Sequence, residues 1–143
     1  MILAIDYGKK RLGLALSDEL GITARPFGIW TRVNRRRDLA RLHELVRQEA
    51  VRRIVVGLPL HLDGTPSEMS EEAKSFSARL EKAIGIPVAL VDERLSSAEA
   101  AQNLSGAGVK ARGQKAMIDA VAAQVILQSY FDQLSNPKQV VFK

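Results

Sequence analysis

Residues 1–18, MILAIDYGKKRLGLALSD, contain the pattern from which the topology of the sheet follows. Residues 2–5 form an apolar run typical of a buried strand, and a second such run begins at Arg11. The segment between them, DYGKK, leaves room only for a hairpin turn, in which Gly8 is able to adopt a positive φ. The chain is therefore predicted to begin with two antiparallel strands, the first of which ends at Asp6.

Downstream of this hairpin, the apolar period changes from that of strands to that of helices. A third strand is predicted at residues 26–33, PFGIWTRV. The later elements alternate: an amphipathic helix over residues 35–50, a strand in RIVVGLP, a helix ending at Gly85, a strand in IPVALVDER, a helix in SSAEAAQNL and an apolar helix over residues 116–134. The helix before Gly85 is expected to begin with Thr65 as its N-cap, Pro66 at its first position and Glu68 completing a capping box.

This order of elements predicts an α/β fold. The expected architecture is one five-stranded mixed sheet in the order 3-2-1-4-5, with strand 2 antiparallel and helices on both faces. Residues 1–136 are expected to form a single domain and residues 137–143 a short tail. Ligands of such sheets bind beyond the carboxyl ends of the strands, which is where Asp6 lies.

The composition favours an anionic partner. The 143 residues include 21 Lys and Arg against 16 Asp and Glu, a formal net charge of +5, and nucleic acid is the commonest partner of such a chain. There is no cysteine, which excludes disulfides and thiolate metal sites. No apolar stretch approaches the roughly 18 residues that a membrane span needs. We expect a cytoplasmic protein without a membrane partner.

Acidic residues occur at points where burial is costly. Asp6 ends the first strand, Asp92 and Glu93 end the strand that begins at residue 86, and Asp119 lies in the apolar last helix. If that helix crosses the carboxyl edge, the acids converge, and divalent cations on oxygen ligands would offset their repulsion. Two such ions would support phosphodiester hydrolysis.

Each acid also has a simpler explanation. Asp6 is able to accept hairpin N–H groups, Asp92 and Glu93 favour the start of the next helix, and Asp119 is compatible with a solvated first turn. Because side chains alternate along a strand, only one residue of the adjacent pair readily faces the site, and the pattern alone does not say which.

Four ordered blocks, AIDYGKKRLGLALSD, VVGLPLHLDGT, VDERLSS and IDAVAAQVILQSYFD, resemble the bacterial YqgF family, also called RuvX. The family comprises Holliday-junction resolvases and pre-16S ribosomal RNA nucleases with a ribonuclease H-like fold. The resemblance implies an acidic triad of Asp6, Glu93 and Asp119 that binds Mg²⁺ or Mn²⁺. It further implies an endonuclease that processes the 5′ end of pre-16S rRNA, with resolution of branched DNA as the alternative.

Six basic residues are candidates for contacts to substrate phosphates: Lys9, Arg11, Arg94, Lys110, Arg112 and Lys115. The first two flank the hairpin, where solvated charges are equally common. Arg94 is also able to pair with a neighbouring carboxylate. The last three lie in a glycine-rich segment, where the family's denser basic run is interrupted as KARGQK.

Other functional classes fit the sequence less well. A non-catalytic nucleic-acid-binding domain would not need the acids, because they repel phosphate unless a metal is bound. A kinase or ATPase of the actin-like type would need two lobes, for which 143 residues are too few. A junction resolvase is expected to act as a homodimer, whereas a processing nuclease is able to act as a monomer.

Overall fold

The computed structural model describes residues 1–20, 23–61, 63–92 and 114–135, and in the last segment it describes the side chains of residues 122–132. The described elements are β1 Ile2–Tyr7, β2 Arg11–Ser17, β3 Ala24–Thr31, α1 Arg35–Gln48, β4 Arg53–Leu58, α2 Glu68–Ile84, β5 Val88–Asp92 and α3 Gln114–Ser135. The helix predicted in SSAEAAQNL and the tail 137–143 lie outside the described residues.

The strands form one five-stranded sheet in the order β3-β2-β1-β4-β5. Strand β2 is antiparallel to both β1 and β3, while β4 is parallel to β1 and to β5. The short β1–β2 connection permits only antiparallel pairing, and helical crossovers are what parallel pairing requires. The predicted strand order and the predicted direction of strand 2 are therefore confirmed.

Alternating side chains divide the core into two clusters. Leu3 and Ile5 of β1 belong to the cluster that also contains residues of α1 and α2, and we call this side of the sheet the α1/α2 face. Ala4 belongs to the second cluster, which packs against α3, and we call that side the α3 face. Helices thus cover both faces, as predicted.

Helix α3 is able to pack closely because its face of the sheet carries small side chains such as Ala4, Ala15 and Ala89. Two polar contacts fix its position: the Gln124 amide donates to the Ala24 carbonyl at 2.9 Å, and the Arg53 guanidinium donates to the Tyr130 hydroxyl. The predicted bounds, 116–134, agree with the observed helix to within two residues. Along the described segments, no helix is both long and apolar enough to cross a membrane.

Several element bounds differ from the prediction by one or two residues. Strand β1 extends to Tyr7, one residue beyond its predicted end at Asp6. Strand β3 covers Ala24–Thr31 rather than residues 26–33, because the N–H of Val33 donates to the Asp38 carboxylate at 3.1 Å instead of joining the sheet. Helix α1 ends at Gln48, two residues before its predicted end, and Ala50 has a φ of 53° that a continuing helix does not allow.

The predicted start of α2 was wrong. Ser67 is the N-cap: its hydroxyl accepts from the N–H of Ser70 at 3.0 Å, and the Ser70 hydroxyl accepts from the N–H of Ser67 at 2.7 Å. Thr65 is engaged elsewhere, since its N–H and its hydroxyl both donate to Asp63. The helix therefore begins at Glu68, and it ends at Gly85 as predicted, in a left-handed C-cap with φ 81°.

Gly8 is needed in the hairpin for a different reason from the one predicted. The glycines with positive φ among the described residues are Gly64 and Gly85. At Gly8, a Cβ would lie 2.6 Å from the carbonyl oxygen of Arg11, which is closer than real Cβ contacts allow. The turn therefore excludes a side chain by close backbone approach.

An internal ion pair ties this hairpin to α1. The Arg32 Nε donates to Asp38 at 2.9 Å, and another Arg32 nitrogen donates to the Gly8 carbonyl at 3.0 Å. Burial opposes the charged form of Arg32, but hydrogen bonds with Tyr7 and Asp38 raise its pKa above the ordinary value. The Arg32 and Asp38 side chains are only 14% and 7% exposed, so this pair holds the end of β1 in place.

Replacing Asp38 by alanine is expected to lower the free energy of unfolding by about 3 kcal/mol, because the shielded Arg32 loses its carboxylate partner. Glu44→Ala is the control, since Glu44 pairs with Arg47 at 3.6 Å on the surface, where such pairs contribute about 0–1 kcal/mol. Urea unfolding followed by circular dichroism measures both variants. Equal losses would contradict the structural role of the Arg32–Asp38 pair.

Candidate active site

Asp6 lies at the carboxyl end of β1 on the α3 face, two residues after Ala4. Its partner on β2 is Gly13. On the other side, Ile5 pairs with Val56 of β4, so the next step of the parallel register sets Gly57 beside Asp6. The two positions directly beside the half-buried Asp6 are therefore glycines.

A cavity of about 200 Å³ opens at this position, lined by Asp6, Gly8, Lys10, Arg11 and Gly13. The lining combines a carboxylate, which suits a hard divalent cation, with two basic side chains, which suit phosphate oxygens. Gly8 and Gly13 have no side chains, so the cavity reaches the backbone at these two positions. Among the described residues, the cavity therefore fits a metal ion held by Asp6 beside a bound phosphate.

Of the two basic residues predicted at the hairpin, Arg11 lines this cavity and Lys9 does not. The Lys9 ammonium lies 3.6 Å from a carboxylate oxygen of Glu68 at the start of α2. Lys10 takes the place expected for Lys9. The sequence signal for Lys10 was the basic run KKR itself, which does not show which of its members faces the cavity.

Asp92 lies on the opposite face from Asp6. Val88 and Leu90 of β5 belong to the α1/α2 cluster, and Asp92 continues their alternation. It is 4% exposed and it pairs in register with Leu58 of β4. Asp92 is therefore not positioned to act together with the carboxylate of Asp6.

The other predicted site residues are described in part or not at all. Glu93, Arg94, Lys110 and Arg112 lie outside the described residues. Lys115 and Asp119 belong to α3, in the part whose side chains are not described. Asp119 lies one helical turn before Ala123, which packs on the α3 face, so the helix that carries it covers the same side of the sheet as Asp6.

Within the described ranges, no three acidic or histidine side chains lie close enough together to hold a metal ion. Asp63, in the loop after β4, accepts from the Thr65 hydroxyl at 2.6 Å and from the Thr65 N–H at 2.9 Å. These hydrogen bonds lower the pKa of Asp63. Its carboxylate stabilises the turn before α2, so Asp6 is the described carboxylate best placed for a ligand.

Comparison with known proteins gives consistent matches over nearly the whole chain. Residues 1–133 match the family model described as RuvX, Holliday junction resolvase. A protein of Syntrophus aciditrophicus (strain SB), named "Putative pre-16S rRNA nuclease", is 46% identical over 137 residues, which are 96% of this chain and 91% of that protein. A protein of the same name from Anaeromyxobacter dehalogenans (strain 2CP-C) is 47% identical over 131 residues, 92% of this chain and 96% of that protein.

A solved structure shares the architecture. The chain is similar to T. thermophilus RuvC in complex with Holliday junction substrate, with a TM-score of 0.59, 15% identity, and coverage of 94% of this chain and 96% of that one. At this identity the likeness shows the fold alone. It confirms the predicted ribonuclease H-like arrangement of the sheet.

Gly13→Val is expected to weaken Mn²⁺ binding, because the valine side chain would occupy the space beside Asp6. The expected loss is about tenfold or more, which is the order seen when residues around a metal ligand are changed. Isothermal titration with Mn²⁺ measures the change. Gly28→Val is the control, since a Cβ at Gly28 of β3 meets no atom within 4 Å. A folded Gly13→Val protein that binds Mn²⁺ like the wild type would show that the glycine gap is not part of a metal site.

Proposed function

Because the chain belongs to the RuvX family of Holliday junction resolvases, we propose that it is a metal-dependent endonuclease that hydrolyses phosphodiester bonds at the 5′ end of pre-16S rRNA. The four sequence blocks predicted this family correctly. The choice of rRNA as substrate follows the name shared by the curated relatives at 46% and 47% identity.

The observation that carries the proposal is the position of Asp6. A carboxylate at the carboxyl end of the central strand, flanked by glycines and facing a cavity with two basic residues, suits a hard cation and a phosphate together. A domain that only binds nucleic acid would gain nothing from a carboxylate at this point, because it repels phosphate.

We propose Asp6, Glu93 and Asp119 as the ligands of Mg²⁺ or Mn²⁺. The burial of Asp92 on the α1/α2 face removes the competing member of the adjacent pair, which supports Glu93. When bound, two divalent ions would supply an activated water and stabilisation of the leaving oxygen.

The basic residues would position the substrate. Lys10 and Arg11 lie on the cavity that contains Asp6, where they would bind phosphate oxygens next to the bond that is cut. The remaining phosphate contacts are proposed for five residues predicted from the sequence: Lys9, Arg94, Lys110, Arg112 and Lys115. The net charge of +5 supports attraction of the whole domain to a polyanion.

Cleavage of a four-way DNA junction is the second candidate. It is favoured by the description of the matching family and by the likeness to RuvC, whose solved complex contains a Holliday junction substrate. Symmetric cutting of a junction would require a homodimer, whereas trimming of an RNA end would not. The two candidates share the same metal site and differ in the nucleic acid that reaches it.

Asp6→Asn is expected to lower the cleavage rate by more than roughly 100-fold, because an amide is a poorer ligand of a hard cation than a carboxylate. This loss exceeds that caused by mutating residues that only support a metal ligand. Cleavage is measured on precursor 16S RNA with its 5′ leader and on a four-way DNA junction, each with Mg²⁺, Mn²⁺ or chelator.

Asp132→Asn is the matched control, since Asp132 is an exposed carboxylate on α3, and it should cut like the wild type. Retained cleavage by Asp6→Asn, or cleavage in chelator, would overturn the metal-dependent proposal. Preferential trimming of the RNA leader supports rRNA processing, and symmetric cuts in the junction would assign the activity to branched DNA instead.

A further inference from the structure

A second cavity, of about 180 Å³, lies on the α1/α2 face beside the same hairpin. Tyr7 belongs to its wall, and because Tyr7 follows Asp6 in β1, the two side chains lie on opposite faces of the sheet. Phe76 of α2 packs against Tyr7 with ring centroids 5.1 Å apart. The two cavities thus lie on either side of one strand end.

Arg32 presents a fixed guanidinium to this second cavity. Its carbon Cζ lies 4.8 Å from the centroid of the Tyr7 ring and 5.5 Å from that of Phe76, and the group is anchored to Asp38 and to the Gly8 carbonyl. Guanidinium planes held in this way form stacking surfaces for nucleic-acid bases. The Gly8 contact also joins this cavity to the one that contains Asp6.

Two further arginines line the cavity from different helices. Arg35 is the first residue of α1 and Arg79 lies in α2, and both are exposed. The start of α1 adds the positive end of a helix dipole. An anionic group at the mouth of the cavity would therefore be bound by charges from two elements.

Glu72 distinguishes this cavity from a simple anion site. Its Oε2 is shielded from solvent and has no hydrogen-bond partner among the described residues. A buried carboxylate oxygen without a donor is costly, and a free phosphate would add repulsion instead of a hydrogen bond. The occupant that suits this lining carries a negative charge at one end and an N–H donor at the other.

We propose that this cavity binds one unpaired nucleotide, with its base donating to Glu72 and stacking on Arg32 while its phosphate is bound by Arg35 and Arg79. Guanine fits best, because its N1–H and its amino group present adjacent donors to a carboxylate. The volume admits a single base and excludes a duplex. The nucleotide is either free or part of a chain that crosses the edge of the sheet from the Asp6 cavity, and in the second case the inference rests on the proposed function.

Binding of fluorescent RNA hexamers in chelator tests the site without cleavage. One hexamer is UUGUUU, and the other has unsubstituted purine, which lacks both donors, in place of guanine. The wild type should bind the guanine hexamer about tenfold more tightly, the discrimination of one good bidentate pair. Glu72→Gln should lose most of this preference, because the amide replaces one acceptor with a donor.

Arg79→Ala should weaken both hexamers to a similar extent, as loss of a phosphate contact does. Lys82→Ala is its matched control, since Lys82 is an exposed cation three residues further along α2 that does not line the cavity. The site would be refuted by a wild type without guanine preference, by a preference that survives Glu72→Gln, or by equal effects of Arg79→Ala and Lys82→Ala.

Competition with free GMP distinguishes the two sources of the nucleotide. Displacement of the guanine hexamer by GMP at similar concentration supports a site for the free nucleotide, and lack of displacement together with guanine preference supports a nucleotide within a chain. Asp6→Asn should retain the guanine preference. A wild type that cleaves neither nucleic acid but keeps the guanine preference would refute the proposed function and leave this site standing.

Discussion

The two-residue repeat of β1 is the constraint on which the rest of the molecule depends. Leu3 and Ile5 face the cluster shared with α1 and α2, while Ala4 faces the cluster shared with α3. The strand is buried on both sides, so a shift of one residue would exchange the two faces and destroy both clusters. At the carboxyl end, the same repeat separates Asp6 from Tyr7 and thereby assigns one cavity to each face.

What surrounds Asp6 is as important as the carboxylate itself. Gly13 and Gly57 leave the neighbouring strands without side chains at this level, although further along the same face Val55 and Val91 are fully buried. A packed core and an open cavity therefore occur on one face within a few residues. The rigid core fixes the position of Asp6, and the two glycines leave space for a ligand beside its carboxylate.

The charged side chain of Arg32 connects the β1–β2 hairpin to helices α1 and α2. Arg32 bonds to the Gly8 carbonyl of the turn and to Asp38 of α1, and it lies against the Phe76 ring of α2. Arg32 therefore links the turn to both helices of the α1/α2 face. A nucleotide stacked on Arg32 would therefore touch the same group that holds the end of β1, which offers a physical route between the two cavities.

Much of the fold was determined by the sequence alone. The antiparallel start, the strand order, the last helix and the position of Asp6 at a strand end all follow from short-range patterns, because side-chain periodicity and turn length act within a few residues. The four ordered sequence blocks were also sufficient to identify the RuvX family. The N-cap of α2 was missed because the hydrogen bonds of Thr65 with Asp63 competed with a capping pattern that looked equally good.

Which side chains share a cavity follows from the packing of separate elements against one another. The gap made by Gly13 and Gly57 depends on pairing between strands that are far apart in the chain, and the face taken by Asp92 depends on the packing of β5. The cavity of Arg32, Glu72 and Arg79 likewise joins a loop to a helix more than thirty residues away. Spacing along a sequence reports neighbours within one element, whereas these sites arise where separate elements meet, and their contacts are set by the register and packing of the whole sheet.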